Sequence, residues 1–269
     1  MSRASLLRRL GFRLRHGGAS WFWNALRDHL LPIRPACWKQ VRATILGRHG
    51  LEIGGPSRIF RPRGGLPVYD WAGSIDNVNF SAETAWEHRL RDGGAYCFHR
   101  QRRPGRQWIR EAASLNGIAD EAYEFVLSSH CLEHTANPLG ALREWWRIAR
   151  GGAPLILVVP DPEFSFDHRR PITTPAHLLE DFRLGTPESD QSHLAEIMEL
   201  HDLALDPDAG NPDEFRARSM ANADHRCLHH HVFDSNLLAG ALGETGWAVV
   251  AVEKVRPVHL LALARRAVR

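Results

Sequence analysis

The chain has 269 residues, of which 43% are apolar and 24% charged, with a formal net charge of +3. This is ordinary globular composition at a length that suits one α/β domain with additions, and no stretch approaches the roughly 20 apolar residues of a membrane-spanning helix, so global disorder and membrane spanning are excluded. The positive charge belongs to the tail: residues 1–48 hold ten Arg or Lys against Asp28 alone, whereas a polynucleotide-binding domain would spread a basic face over its folded body.

Along residues 1–16, Leu6, Leu7, Leu10 and Leu14 fall on one helical face with Arg8, Arg9, Arg13 and Arg15 largely opposite. The pattern predicts a basic amphipathic helix that can lie on an anionic membrane or pack on the domain. Trp21, Phe22, Ala25 and Leu26 follow as a segment suited to covering a core edge. Residues 1–48 thus read as a helical N-terminal extension, and residues 49–269 as the main domain. From residue 50 short apolar runs alternate with helical patterns, which predicts a parallel sheet. Strands are expected at 51–53, 75–80, 107–110, 125–128 and 154–159, with 247–252 and 258–263 as a closing antiparallel pair. Helices are expected at 82–91, 138–149 and 235–242. Residues 161–233 form a polar insertion rich in Pro and His, with helical pieces at 175–182 and 194–203. Landing after the carboxyl end of the fifth strand, it would roof a site. The expected architecture is a Rossmann-like, doubly wound, mostly parallel sheet of seven strands.

The four cysteines, Cys37, Cys97, Cys131 and Cys227, contain no CxxC pair, so neither a zinc ribbon nor a disulfide framework is indicated and reduced cytoplasmic thiols are expected. The run Leu51-Glu52-Ile53-Gly54-Gly55-Pro56-Ser57 is an apolar strand entering a glycine turn, where missing side chains let a ligand approach the backbone. Further on, Phe125-Val126-Leu127-Ser128-Ser129-His130-Cys131-Leu132-Glu133-His134 leads into Asn137-Pro138-Leu139 and a helix containing Glu144 and Arg147, then into Gly151-Gly152 and a strand that ends at Pro160. Glu133 in isolation suits a helix dipole, and Glu144 with Arg147 a solvated pair.

In order, spacing and residue type these segments resemble the class I S-adenosylmethionine-dependent methyltransferases over about residues 50–160, and more loosely over the last 40. The resemblance implies S-adenosylmethionine as cofactor. It places Glu52, Gly54, Gly55 and Pro56 at the cofactor's amino-acid part, and Asn79 where the family carries an acid for the ribose hydroxyls, with Asp76 and Asp70 as rivals. Glu111 and Ala112 resemble the pair that lies against adenine, and Ser129, His130 and His134 fall at the fourth-strand signature. Two departures stand out: Pro56 and Ser57 replace the usual third glycine, and Asn79 is uncharged.

Eight of the sixteen histidines lie between residues 168 and 231. On a helix His177 and Asp181 share a face; on an extended segment His229 and His231 point the same way with His230 opposite. Such groups can bind a divalent metal or form a base with its orienting acid. His177, His229 and His231 are the candidate catalytic bases; the spacing matches no specific metal motif, so metal ligands stay unassigned. Arg169 and Arg170 are candidates for an anionic substrate group, or plain surface charges. The expected function is methyl transfer to a small-molecule or glycan or glycolipid acceptor, at oxygen, in the cytoplasm, with peripheral membrane contact through residues 1–16 and no nucleic-acid partner. The alternative is a catalytically inactive cofactor-binding scaffold, which the altered turn and Asn79 favour. A nicotinamide enzyme fits poorly because the GxGxxG turn is absent.

Overall fold

Strands covered on both faces need apolar residues at successive positions rather than in alternation, and the runs 125–127 and 155–159 have that character. The computed structural model, which describes residues 34–267 apart from 85, 207 and 257, places both at the centre of a single sheet. Its strands are β1 (His49–Ile53), β2 (Ser74–Asn79), β3 (Ala95–Tyr96), β4 (Gly105–Ile109), β5 (Phe125–Ser129), β6 (Pro154–Pro160), β7 (Trp247–Val255) and β8 (His259–Arg266). The order across the sheet is β3-β4-β2-β1-β5-β6-β8-β7. Five strands, from β4 to β6, run parallel, and β8 pairs antiparallel with both β6 and β7. The seven expected strands are all present. The eighth, β3, is a two-residue edge pairing antiparallel with β4, too short to show as a periodic pattern.

The helices are α1 (Trp38–Ile45), α2 (Val68–Trp71), α3 (Pro138–Ile148), α4 (Pro175–Leu184), α5 (Leu194–Leu200), α6 (Pro212–Met220), α7 (Asn222–His225) and α8 (Ser235–Glu244). Side-chain alternation along the strands divides the core into two layers. Leu51, Ile53, Val126, Leu155 and Leu157 pack with Leu142 and Trp145 of α3 and Leu238 of α8. Ile75, Phe125, Leu127, Ile156 and Val158 pack with Val41 and Ile45 of α1 and with Phe60, Leu66 and Tyr69. The start of α3 is set by Asn137, whose side chain accepts from the Gly140 amide, with Pro138 at the first turn. Asp234 caps α8 in the same way through the Leu237 amide, at 2.7 Å.

One expected helix is absent. The described residues of 82–91 form bends and irregular chain, with Arg89 at φ +57°. Side chains there close on nearby backbone instead of leaving it to a helix: Glu83 accepts from the Arg89 amide, Thr84 Oγ1 from the Glu87 amide, and the Trp86 indole donates to the Gly55 carbonyl at 3.3 Å. The amphipathic segment 1–16 and the aromatic segment at 21–26 lie outside the described residues. The chain between β6 and α8 carries α4 to α7 and has a small core of its own, built on Ile197, Ala209, Phe215 and Leu228. Buried Arg170 binds that unit internally, donating to Asp167 at 2.9 Å, Glu196 at 2.7 Å and the His229 carbonyl at 2.8 Å. Its guanidinium is therefore committed to structure rather than to an anionic substrate, while Arg169 pairs with Asp202 at the surface.

Candidate active site

From β1 the strand order runs one way through β2 to β4 and the other way through β5 to β6, so a crevice opens between β1 and β5 at their carboxyl ends. A cavity lies there. Ile53 and Gly54 end β1, Asn79 and Phe80 end β2, Glu111 and Ala112 follow β4, and His130, Cys131 and His134 follow β5; all of them line it. The insertion contributes Glu188 and Arg226 to the same wall. Arg226 ties the roof down by pairing with Glu111 at 2.7 Å and donating to the Glu188 carbonyl at 2.8 Å. Glu188 is pushed up to about 7 by burial, against the pull of Arg226.

The glycine turn is shaped from beneath. Gly54 adopts φ +82°, a backbone conformation suited to glycine, and a Cβ there would come within 3.0 Å of Cys131. Glu52 is fully buried and accepts from the Ser57 amide at 3.0 Å and from the Tyr69 and Tyr96 hydroxyls, each at 2.7 Å. Burial raises its carboxyl above the usual range against those hydrogen bonds. Glu52 therefore holds the turn and does not line the cavity, a correction to the role expected from the resemblance. Pro56 is likewise displaced, facing a neighbouring cleft with Arg61 and His99. Asp76 sits lower on β2, accepting from the Tyr123 hydroxyl at 2.9 Å and the Arg106 amide at 2.8 Å, and cannot reach a ligand in the crevice. Ser129 also stays out of the lining.

Asn79 lines the cavity while almost fully buried. Its Nδ2 donates to the Gly55 carbonyl at 3.1 Å, whereas its Oδ1 has no partner. A buried acceptor left open toward a cavity is costly unless a ligand donor meets it. Together with the bare glycine backbone, the apolar side chains of Ile53, Val78, Phe80 and Ala112 and the acids Glu111 and Glu188, this set fits a cationic adenosyl ligand.

Behind His134 the chemistry changes. His134 donates from Nδ1 to the Leu228 carbonyl at 2.9 Å, and burial lowers it to about 3. The His229 ring stands against it at 4.5 Å, with Nδ1 2.5 Å from Asp167 Oδ2. Burial disfavours a charged His229, but Asp167 outweighs it and holds the imidazole above its ordinary value; Asp167, in spite of its own burial, is drawn down to about 2. Glu133 is 1% exposed with neither carboxylate oxygen hydrogen-bonded, and burial raises it to about 7 against the pull of His229. Glu133, Asp167, His229 and His231 line a narrow cleft next to the larger cavity.

On its other side His231 meets His177, Asp181 and His193, and neither His177 nor His231 lines the larger cavity. Among the described residues two sets have metal-ligating geometry: Glu133, His134 and His229, and His177, His193 and His231. The sequence reading missed Glu188, Arg226 and His193. All three lie in the insertion at irregular spacing, and only the concentration of histidines pointed there.

Residues 90–157 match a family model described as a methyltransferase domain. With the sheet order around that segment, this match supports similarity to the class I S-adenosylmethionine-dependent methyltransferases, a family whose cofactor is S-adenosylmethionine. The chain is similar to solved S-adenosylmethionine-dependent methyltransferases from several organisms. That from Methanosarcina mazei is 14% identical over 86% of this chain and 98% of its own, at a TM-score of 0.48. That from Mesorhizobium loti is 14% identical over 86% and 98%, at 0.46. That from Aquifex aeolicus is 12% identical over 90% and 93%, at 0.43. No curated protein matches the sequence. Among the described residues no helix is long and apolar enough to cross a membrane.

Proposed function

We propose that the chain transfers a methyl group to an oxygen atom of a small-molecule, glycan or glycolipid acceptor, with His229 as the base. The observation that carries this reading is the 2.5 Å contact between Asp167 and His229 in a cleft that adjoins the cofactor cavity. When bound, S-adenosylmethionine supplies an activated methyl on a sulfonium, so the protein chiefly orients the partners and excludes water. A hydroxyl is scarcely ionised at neutral pH and benefits from a positioned base, whereas an amine or carboxylate needs less help. Asp167 holds Nδ1 of His229 and fixes the ring, leaving Nε2 to take the hydroxyl proton. Asn79 Oδ1 receives a ribose hydroxyl, and Glu111 and Glu188 set negative charge beside the cationic cofactor.

The polar, His-rich roof and the basic tail support a glycan or glycolipid acceptor, the tail by peripheral contact of residues 1–16 with a membrane on its cytoplasmic side. The two departures behind the scaffold reading each have a role that spares binding: Ser57 offers its amide to Glu52, and Asn79 bonds Gly55 while keeping an acceptor open. The test is turnover with hydroxyl-bearing acceptors in His229→Gln and Asp167→Asn. Loss of about 10²- to 10⁴-fold in kcat, with calorimetric affinity for S-adenosylmethionine unchanged, supports the base. Undiminished kcat, or transfer confined to amines, refutes it.

A further inference from the structure

Three histidines of the roof converge, and Asp181 lies against two of them. His177 and Asp181 lie one turn apart on α4, with His177 Nε2 3.3 Å from Asp181 Oδ2. His193, at the N-cap of α5, turns its Nε2 to within 2.9 Å of His177 Nε2. His231, 1% exposed, comes from the extended segment before α8; its Nε2 lies 3.6 Å from the same Asp181 oxygen and donates to the Ala136 carbonyl at 3.3 Å, a hydrogen bond that a metal at this nitrogen would replace. One ring nitrogen from each histidine lies within 4.8 Å of the others. Asp181 is 8% exposed, and its Oδ2 accepts no hydrogen bond, while its Oδ1 accepts from the Thr186 hydroxyl at 2.8 Å. His231 Nδ1 is also buried without a partner.

We infer that His177, Asp181, His193 and His231 bind a divalent metal of the zinc class. Zinc bonds imidazole nitrogen and carboxylate oxygen at about 2.0–2.2 Å in a tetrahedron, which sets neighbouring ligand atoms roughly 3.3 Å apart. The separations of 2.9, 3.3 and 3.6 Å bracket that spacing. Three imidazoles and one carboxylate form a nitrogen and oxygen set suited to zinc, and the Thr186 hydroxyl supplies the outer hydrogen bond that orients a ligating carboxylate. A metal would also satisfy the buried Oδ2 that no protein donor reaches.

Four protein ligands close a tetrahedron, so the site is structural rather than catalytic. It joins α4, the start of α5 and the segment that holds His229, and His231 also donates its amide to the Glu133 carbonyl behind β5. The metal therefore pins the roof to the sheet. His177 and His231 act as ligands here instead of as bases, and the inference is independent of the acceptor and of the base assigned above.

The experiment uses the untagged full-length chain, with metal content measured by mass spectrometry after exhaustive dialysis. The expected result is one zinc per chain, and Co²⁺ exchange giving the intense visible bands of a tetrahedral centre. His193→Cys should keep the metal and add a thiolate-to-cobalt charge-transfer band, which reports on a folded variant. Asp181→Asn should weaken zinc affinity by about tenfold or more. A chain that takes up no stoichiometric zinc, an octahedral cobalt spectrum, or metal lost in Glu133→Gln yet retained at full affinity in Asp181→Asn would each overturn the assignment.

Discussion

Replacing Asn79 with the acid that the family carries at this position should harm the protein rather than improve it. Asn79 is 1% exposed, and its Nδ2 donates to the Gly55 carbonyl at 3.1 Å. Asn79→Asp puts an oxygen in place of that donor. The carboxyl can keep its contact with Gly55 only while protonated, so its folded pKa must rise above the unfolded value of about 3.9. The sign follows from linkage: below the unfolded pKa both states are protonated and the variant loses little. Above it the unfolded chain ionises while the folded one resists, and stability falls by about 1.4 kcal/mol per pH unit until the folded carboxyl also ionises. From pH 5 to pH 7 the deficit should therefore grow by up to about 3 kcal/mol. Urea denaturation of the native chain and Asn79→Asp across pH 4 to 8 measures it, with calorimetric titration of S-adenosylmethionine alongside. A deficit that does not change with pH, or tighter cofactor binding by the variant at pH 8, would refute the assignment of Asn79 as donor to Gly55 and open acceptor to the ligand.

Glu188, raised to about 7 by burial and faced by Arg226 and Glu111, gains its charge as pH climbs through neutrality. Affinity for cationic S-adenosylmethionine should then increase by about 1 kcal/mol, or roughly fivefold, between pH 6 and 8. Glu188→Gln should flatten that rise, and S-adenosylhomocysteine, which lacks the sulfonium charge, should show less of it in the same titrations. Gly55→Ala would set a Cβ 2.4 Å from the Glu52 carboxyl carbon and 2.8 Å from Asn77 Oδ1. Thermal denaturation should show a loss of about 1–3 kcal/mol, with cofactor binding impaired because the turn must move.

The central strands were legible because burial on both faces leaves a continuous apolar signature, as at Phe125–Ser129 and Pro154–Pro160. The crevice followed, since its walls are strand ends: Gly54, Asn79, Ala112 and His130 all fall there. Glu52 was read as a ligand-facing acid because sequence shows its place before the glycines but not that Tyr69 and Tyr96, 17 and 44 residues away, reach back to it. Asp76 was a rival for Asn79 because three residues along a strand change both depth and face, which the unknown register concealed. The helix expected at 82–91 was lost to side-chain bonds formed with the local backbone and to one long-range contact, from the Trp86 indole to Gly55. His193 could not be singled out because its partners lie on α4 and in the strand-like segment at His231, far apart in sequence.

The position of β8 matters before the protein is finished. It is made after the other seven described strands, yet it sits inside the sheet between β6 and β7. While the chain emerges from the ribosome, the outer edge of β6 stays unpaired until residues 259–266 arrive about 100 residues later. That edge is apolar, 154–159 being buried in the finished molecule, and an open edge of this kind pairs readily with strands of other chains. The nascent protein thus passes through a stage that invites misassembly, and holding factors acting on the unfinished chain should raise the yield of folded product.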